Sequence, residues 1–551
     1  MWWLGFLGVV RVRVRVRVTG PFLRGISFSL DRGRLCAAPE PRRKAQLNTR
    51  VIVPGMSHPS RGAALVAASL AVVSGIAAYQ LYGWRRRRLC AERVAGHTKL
   101  ALLPSERAPI VCMSPATSTI TFFQGSTDVA AAYLAKRVAE IAASNPWLAS
   151  VLDTDPETGE MAAFVPRGDK AEAAQKGLFA NRKDITVGFA PRRGGEDGER
   201  VIPYHAMVRD LAQVLCKPSV ETVGTGAPLF SVTLVSGARG DEFAVVVSAN
   251  HSLVDGHTFY QIHNMLCRGE TVRALSPVRK LDAPAQIKEA LGGVPSTMTA
   301  CPPGFLARFV GSQIVSAVGF SAKTRVVGFY VNDVWVHEQK KLWSSPGSPV
   351  KRLADQLIGS PAKKSFAPFI STNDCLVSAF ANALRPTLCM MAANFRGKAM
   401  GLDADDAGNY EDLIEYYDFS KTNDETLDAQ LACDYANPAL IRRSVQGTPY
   451  ARAVTTATLS NADFLYRVGK IGVTTNWSTF AKPLDLFKGS TQVLHLPILD
   501  WPKANPAGLL GSMLVFRPHK GRLAVMAAGD AAFVDRLARS GMAGEKLDVE
   551  L

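Results

Sequence analysis

A buried strand that runs straight into a charged turn constrains this chain more than any other feature. Residues 243–266 read FAVVVSANHSLVDGHTFYQIHNML. Phe243–Val247 is an unbroken apolar run of the kind found in strands covered on both faces. Phe259, Ile262 and Leu266 then recur at the spacing of one helical face. Between strand and helix stand His251, Asp255 and Gly256. Polar side chains at the end of a core strand need partners, because an unpaired buried polar group costs about 1–3 kcal/mol. Two accounts meet that need. In one, His251 is a general base that takes a proton from a hydroxyl or amine, Asp255 neutralises an arginine, and Gly256 turns the backbone where something passes closely. In the other, His251 is a core histidine and Asp255 caps the following helix.

The rest of the chain fits a large globular protein. A chain of 551 residues exceeds what one core usually supports, so two lobes of roughly 200 residues plus an N-terminal extension are expected. Hydrophobic residues make up 47% and charged residues 20%, which excludes the disordered class. The net charge of +17 suggests a nucleic-acid partner until it is located: residues 1–100 hold 18 Lys/Arg against Asp31, Glu40 and Glu92, leaving +15 there and +2 over residues 101–551. The body therefore lacks the basic stripe a nucleic-acid binder needs, and no nucleic-acid partner is expected. Nine scattered cysteines form no Cys-x-x-Cys pair, which argues against a disulfide framework or zinc site.

Residues 1–62 read as a basic leader, disordered or targeting, with the repeat RVRVRVRV at 11–18. An organellar transit peptide and a start at Met56 are both compatible with it. The next segment, 63–84, holds twenty uncharged residues from Ala63 to Tyr82 and is closed by Arg85–Arg88. It is long enough to span a bilayer as a helix; a cleaved signal sequence and a buried helix are the alternatives. A start at Met56 places the body on the cytoplasmic side of a single-pass membrane protein, with a plastid location as the other reading.

Along the body, Ser118–Phe123 reads as a strand and Asp128 as the cap of a helix that Asn145-Pro146 ends, with Leu134, Val138 and Ile141 on its buried face. Leu229–Val235 and Phe243–Val247 form a hairpin, as do Met513–Phe516 and Leu523–Ala527 around His519-Lys-Gly521. Residues 268–310 collect prolines and suit a crossover between lobes. Ser371 and Asp374 have capping-box spacing, with Leu376, Val377, Phe380 and Leu384 striped behind them. His251, His257 and His263 recur every six residues, which turns successive helical side chains in different directions and does not build a metal site; no metal is expected. Asp403–Asp406 reads as a solvated acidic turn. There is no Gly-x-Ser-x-Gly elbow, Walker loop or Gly-x-Gly-x-x-Gly after a strand, so serine hydrolase, nucleotide hydrolase and dinucleotide oxidoreductase chemistry lose support.

His-x-x-x-Asp-Gly after an apolar strand resembles the motif of the acyl-CoA-dependent acyltransferase superfamily, which includes chloramphenicol acetyltransferase, BAHD acyltransferases, wax ester synthases and peptide-synthetase condensation domains. Further segments resemble it in the same order: Asn145–Leu148, Pro228–Phe230, Ser371–Asp374, Asn394–Gly397, Gly408–Tyr410 and Thr474–Trp477. The resemblance spans roughly residues 105–535. It departs from the BAHD pattern at Asp485-Leu-Phe-Lys-Gly489, where only the first Asp and last Gly hold, and from wax ester synthases at Asn250, where many carry a second histidine.

The resemblance implies an α/β (α+β) fold of two chloramphenicol-acetyltransferase-like lobes of mixed β-sheet flanked by helices, with the N-terminal membrane-anchor helix ahead of them. The lobes are expected over 105–270 and 326–551, with 271–325 as the crossover linker. His251 is implied as general base, Asp255 as a structural partner of Arg396, and Gly256 as a residue lining the channel. Thr475 or Asn476 is expected either to help polarise the thioester oxygen or to pack and cap. The implied activity is transfer of an acyl group from acyl-CoA, a co-substrate and not a bound cofactor, to a hydroxyl or amine of a lipophilic or specialised-metabolite acceptor. A catalytically inactive binding or scaffold module of the same fold and a condensation-type enzyme with a carrier-bound donor are the alternatives.

Overall fold

The computed structural model describes residues 87–191, 200–290, 324–345, 347, 369–386, 388–397, 401–417, 438, 441–442, 471–500 and 510–551. The chain divides at Arg86 into two units, and the body described here is the second. The expected anchor at 63–84 and the leader before it lie outside the described residues. Among the described residues no helix is long and apolar enough to cross a membrane.

The first half runs through β1 (Thr117–Gln124), α1 (Thr127–Ser144), β2 (Phe179–Thr186), β3 (Phe230–Ser236), β4 (Glu242–Ala249), α2 (Gly256–Asn264) and α3 (Ala283–Ala290). The second half runs through β5 (Arg325–Val331), α4 (Asp333–Ser344), α5 (Thr372–Leu384), β6 (Leu388–Asn394), β7 (Glu411–Tyr417), β8 (Ile471–Asn476), β9 (Thr491–Pro497), β10 (Leu510–His519), β11 (Arg522–Gly529), α6 (Ala531–Ala538) and β12 (Ala543–Lys546).

Two mixed sheets dominate. The five-stranded sheet has the order β9-β1-β4-β3-β2, with β2 and β3 parallel and the other neighbours antiparallel. The seven-stranded sheet has the order β7-β6-β8-β10-β11-β5-β12, and β8 runs parallel to both β6 and β10. Both expected hairpins form: β3 pairs antiparallel with β4, and β10 with β11. A link that no local pattern signalled is β9, which leaves the second half of the sequence to pair with β1, Thr491 opposite Gln124 and Pro497 opposite Thr119.

The continuous apolar run of β4 is explained by cover on both faces. Phe243, Val245, Val247 and Ala249 enter one core with Leu134, Val138 and Phe259. Ala244 and Val246 turn the other way, into a core shared by strands of both sheets, with Leu494 of β9, Phe516 of β10 and Met526 of β11. A third core lies under α5 and α6, where Leu376, Phe380 and Leu384 pack with Phe533 and Leu537. Burying one such side chain contributes about 1.5–3 kcal/mol, so the strand end that presents His251 is fixed from both sides.

Two local expectations are corrected. The cap of α1 is Ser126, whose side chain accepts from the Val129 amide 3.4 Å away, and not Asp128, which lies in the first turn. Serine adopts the extended cap conformation with its hydroxyl in reach, while Asp128 already has its backbone inside the helix. The turn at 403–406 is not wholly solvated: Asp406 is buried, takes the Asp403 amide at 2.7 Å and pairs with Lys280 at 2.7 Å. The capping box at Ser371 and Asp374 forms as its spacing predicts.

Candidate active site

The chain reaches the site through a turn that leaves few polar groups unspent. At the end of β4, the Asn250 carboxamide accepts from the Ser252 amide (2.9 Å) and the Ser219 hydroxyl (2.8 Å) and donates to the Lys217 carbonyl (2.8 Å). Leu253 and Val254 are fully buried in the core beneath it. Between these anchors the His251 side chain keeps 24% of its surface exposed. A histidine poised for chemistry needs such a rigid base and an open face.

Asp255 satisfies both accounts of its role. Its Oδ1 accepts from the Thr258 amide at 2.8 Å and so caps α2. Its Oδ2 accepts from Nη1 of Arg396 at 2.6 Å and from the Tyr410 amide at 3.0 Å. Burial opposes its ionisation, but the charge and hydrogen bond of Arg396 outweigh burial and hold the carboxyl below its usual range. Arg396 spends all five of its N–H donors. Nε goes to the Asp406 carbonyl, Nη1 to Asp255 and Asn394, and Nη2 to the Thr258 hydroxyl and the Gly408 carbonyl.

A second buried arginine, Arg279, was not legible in the sequence, nor was its partner Glu106. Both side chains are 0% exposed and their charged atoms lie 2.9 Å apart. Arg279 also donates to the carbonyls of Leu253 (2.8 Å), Ala407 (3.0 Å) and Pro277 (2.9 Å). Glu106 in turn accepts the Asn409 amide at 2.8 Å. The loops 251–255 and 406–410 are thus clamped to each other by two arginines. Gly408 passes between them at φ 138°, and a Cβ there would lie 2.8 Å from Nε of Arg279.

The second loop and the strand after it bring Asn409 and Glu411 to His251. Asn409 donates through Nδ2 to the His251 carbonyl at 3.2 Å and lies 3.4 Å from its Nδ1. Tyr410 fixes Asp255 through its amide. Glu411, the first residue of β7, places Oε1 3.8 Å from Nε2 of His251. Burial raises its carboxyl to about 7, against the opposing pull of His251. Asn409 and Glu411 belong to the wall of a cavity of about 240 Å³ together with Leu103, Ala283 and Ile287. Glu411 carries no motif signal; its position follows from its register opposite Asn394 on β6.

Gly256 opens α2 under Trp477, and a Cβ on it would lie 3.3 Å from the indole nitrogen. Thr475 and Asn476 end β8 just before that tryptophan. Asn476 accepts through Oδ1 from the amide (3.0 Å) and hydroxyl (2.6 Å) of Ser478 and donates to Oδ1 of Asn373 at 2.9 Å. Thr475 stands opposite Leu514 of β10. His257 meets the Ala404 carbonyl at 3.0 Å, while His263 packs with its ring 5.1 Å from that of His495. Asp485 of the departing segment pairs with Arg268 at 2.8 Å.

No protein-family model matches this sequence, and no curated protein matches it. Among solved structures, the chain is similar to TRI101 of F. sporotrichioides complexed with coenzyme A and T-2, at 14% identity over 80% of this chain and 96% of that one, TM-score 0.45. It is similar to polyketide synthase associated protein 5 from Mycobacterium tuberculosis at 12% identity over 81% and 98%, TM-score 0.46. A first condensation domain of the CDA synthetase matches at 14% identity over 82% and 99%, TM-score 0.44. Likeness at this level assigns no activity to this chain.

Proposed function

We propose that this chain is an acyltransferase that moves an acyl group from acyl-CoA to a hydroxyl or amine of a lipophilic or specialised-metabolite acceptor, with His251 as general base. The observation that carries this reading is the placement of His251. It stands partly exposed on a loop that Arg396 and Arg279 pin from below, with Nε2 turned to Glu411 at the wall of a cavity. A histidine with only a packing role would not require that rigidity around an open face.

Nε2 is turned outward toward Glu411, and the tautomer that carries its proton on Nδ1 presents a lone pair there to the acceptor. Nε2 takes the acceptor's O–H or N–H proton as that oxygen or nitrogen bonds to the thioester carbonyl carbon. Collapse of the tetrahedral intermediate breaks the C–S bond, and the imidazolium returns the proton to the departing sulfur. Asp255, wholly engaged with Arg396, the Thr258 amide and the Tyr410 amide, holds the loop and transfers no proton. Asn476 has one Nδ2 proton left after its bond to Asn373, which suits it to the developing oxyanion. The test is thiol release from acyl-CoAs by the protein and by His251→Ala, with alcohol and amine acceptors supplied.

A further inference from the structure

The cavity next to Glu411 combines an apolar wall with charged groups. Leu103, Ala283, Pro284 and Ile287 form the apolar wall, and Lys288 and Asp412 also line it. Its buried polar wall comes from the start of β7, where Asn409 is 2% exposed and its Oδ1 has no hydrogen-bond partner. The orientation of that amide follows from its nitrogen, which faces the His251 carbonyl at 3.2 Å. Two residues on from Asn409, Glu411 also lines the cavity, its carboxyl 21% exposed and 3.8 Å from Nε2 of His251. A carboxylate at an otherwise largely apolar wall calls for a group rich in donors, and an ammonium offers three with no acceptor.

We propose that the acceptor is a primary amine on a compact apolar body, bound as its ammonium against the Glu411 carboxyl with its hydrocarbon against Leu103, Ala283 and Ile287. This rests on the acyltransferase reading and narrows it. An ammonium must lose two protons on the way to an amide, while an alcohol loses one, and the site holds two bases 3.8 Å apart. Glu411 takes the first proton and frees the nitrogen lone pair. His251 takes the second as the nitrogen bonds to the thioester carbonyl carbon and passes it to the thiolate when the C–S bond breaks. Glu411 then returns its proton to solvent, so one ammonium and one thioester give one amide, one thiol and one proton.

The test titrates the full chain calorimetrically with 2-phenylethylammonium and with 2-phenylethanol, which share a skeleton, and repeats both on Glu411→Gln and Glu411→Asp. The ammonium is expected to bind at least about tenfold tighter, as a charge-assisted pair gives. Glu411→Gln abolishes that preference, and Glu411→Asp, which keeps the charge, retains part of it. Equal affinity, or a preference for the alcohol, overturns the amine assignment and leaves the acyltransferase reading untouched. Thiol release with the same two acceptors separates the claims: an ammonium preference in binding without any thiol release supports this pocket and contradicts the proposed reaction.

Discussion

Nη1 of Arg396 lies 2.6 Å from Oδ2 of Asp255, and each side chain is 1% exposed. The two residues are 141 positions apart, so the pair ties the turn after β4 to the loop that precedes β7. Removing one member strands the other as a buried charge. Arg396→Met and Asp255→Asn are each expected to cost about 3–5 kcal/mol. The double variant is expected to lose less than their sum, by about 0.5–3 kcal/mol of coupling. Urea denaturation of the four proteins measures this; additive losses would mean that the pair does not hold the loops together.

Gly408 sits where only glycine fits. Its φ of 138° is closed to L side chains, and a Cβ would meet Arg279 Nε at 2.8 Å. Gly408→Ala is expected to lose about 1–3 kcal/mol from backbone strain alone. It also displaces Arg279 from Glu106 and from the Leu253 carbonyl. Thermal denaturation reads the loss, and a melting temperature within error of the parent would remove Arg279 from the account of the site.

His263 is buried against Phe259, Tyr260 and His495, and neither of its ring nitrogens has a hydrogen-bond partner. Burial pushes it down to about 4 from an ordinary 6.5. The folded protein therefore keeps it neutral while the unfolded chain protonates below 6.5. Its contribution is present above that pH and is lost as pH falls toward 4, by about 3 kcal/mol over the window. Burial lowers His495 in the same direction, which steepens the loss. His263→Phe is expected to flatten the dependence of melting temperature on pH between 6.5 and 4; an unchanged slope would place the acid sensitivity elsewhere.

What the sequence made legible was local. The apolar run of β4, the helix after it and the capping box of α5 each depend on residues a few positions apart, and periodicity reports such neighbours directly. Arg396 was reached through the family resemblance, not through any pattern linking it to Asp255. Glu106 and Arg279 stayed hidden because they meet across 173 positions, and a lone glutamate or arginine looks like surface until its burial is known. Strand β9 gave no sign that its partner was β1, since strand pairing is set by tertiary packing and not by the strand's own residues. Glu411 was missed for the same reason: its place beside His251 is a matter of register.

The most direct test of the central claim is release of free thiol from a panel of short and long acyl-CoAs, with pooled alcohol and amine acceptors, by the protein and by His251→Ala. Acceptor-dependent release that falls about 10²–10⁴-fold in the variant, with its melting temperature retained because the side chain is partly exposed, is the predicted result. Release that is equal in the two proteins, or absent from the parent with every pair, would contradict the assignment of His251 as the base of an acyl transfer.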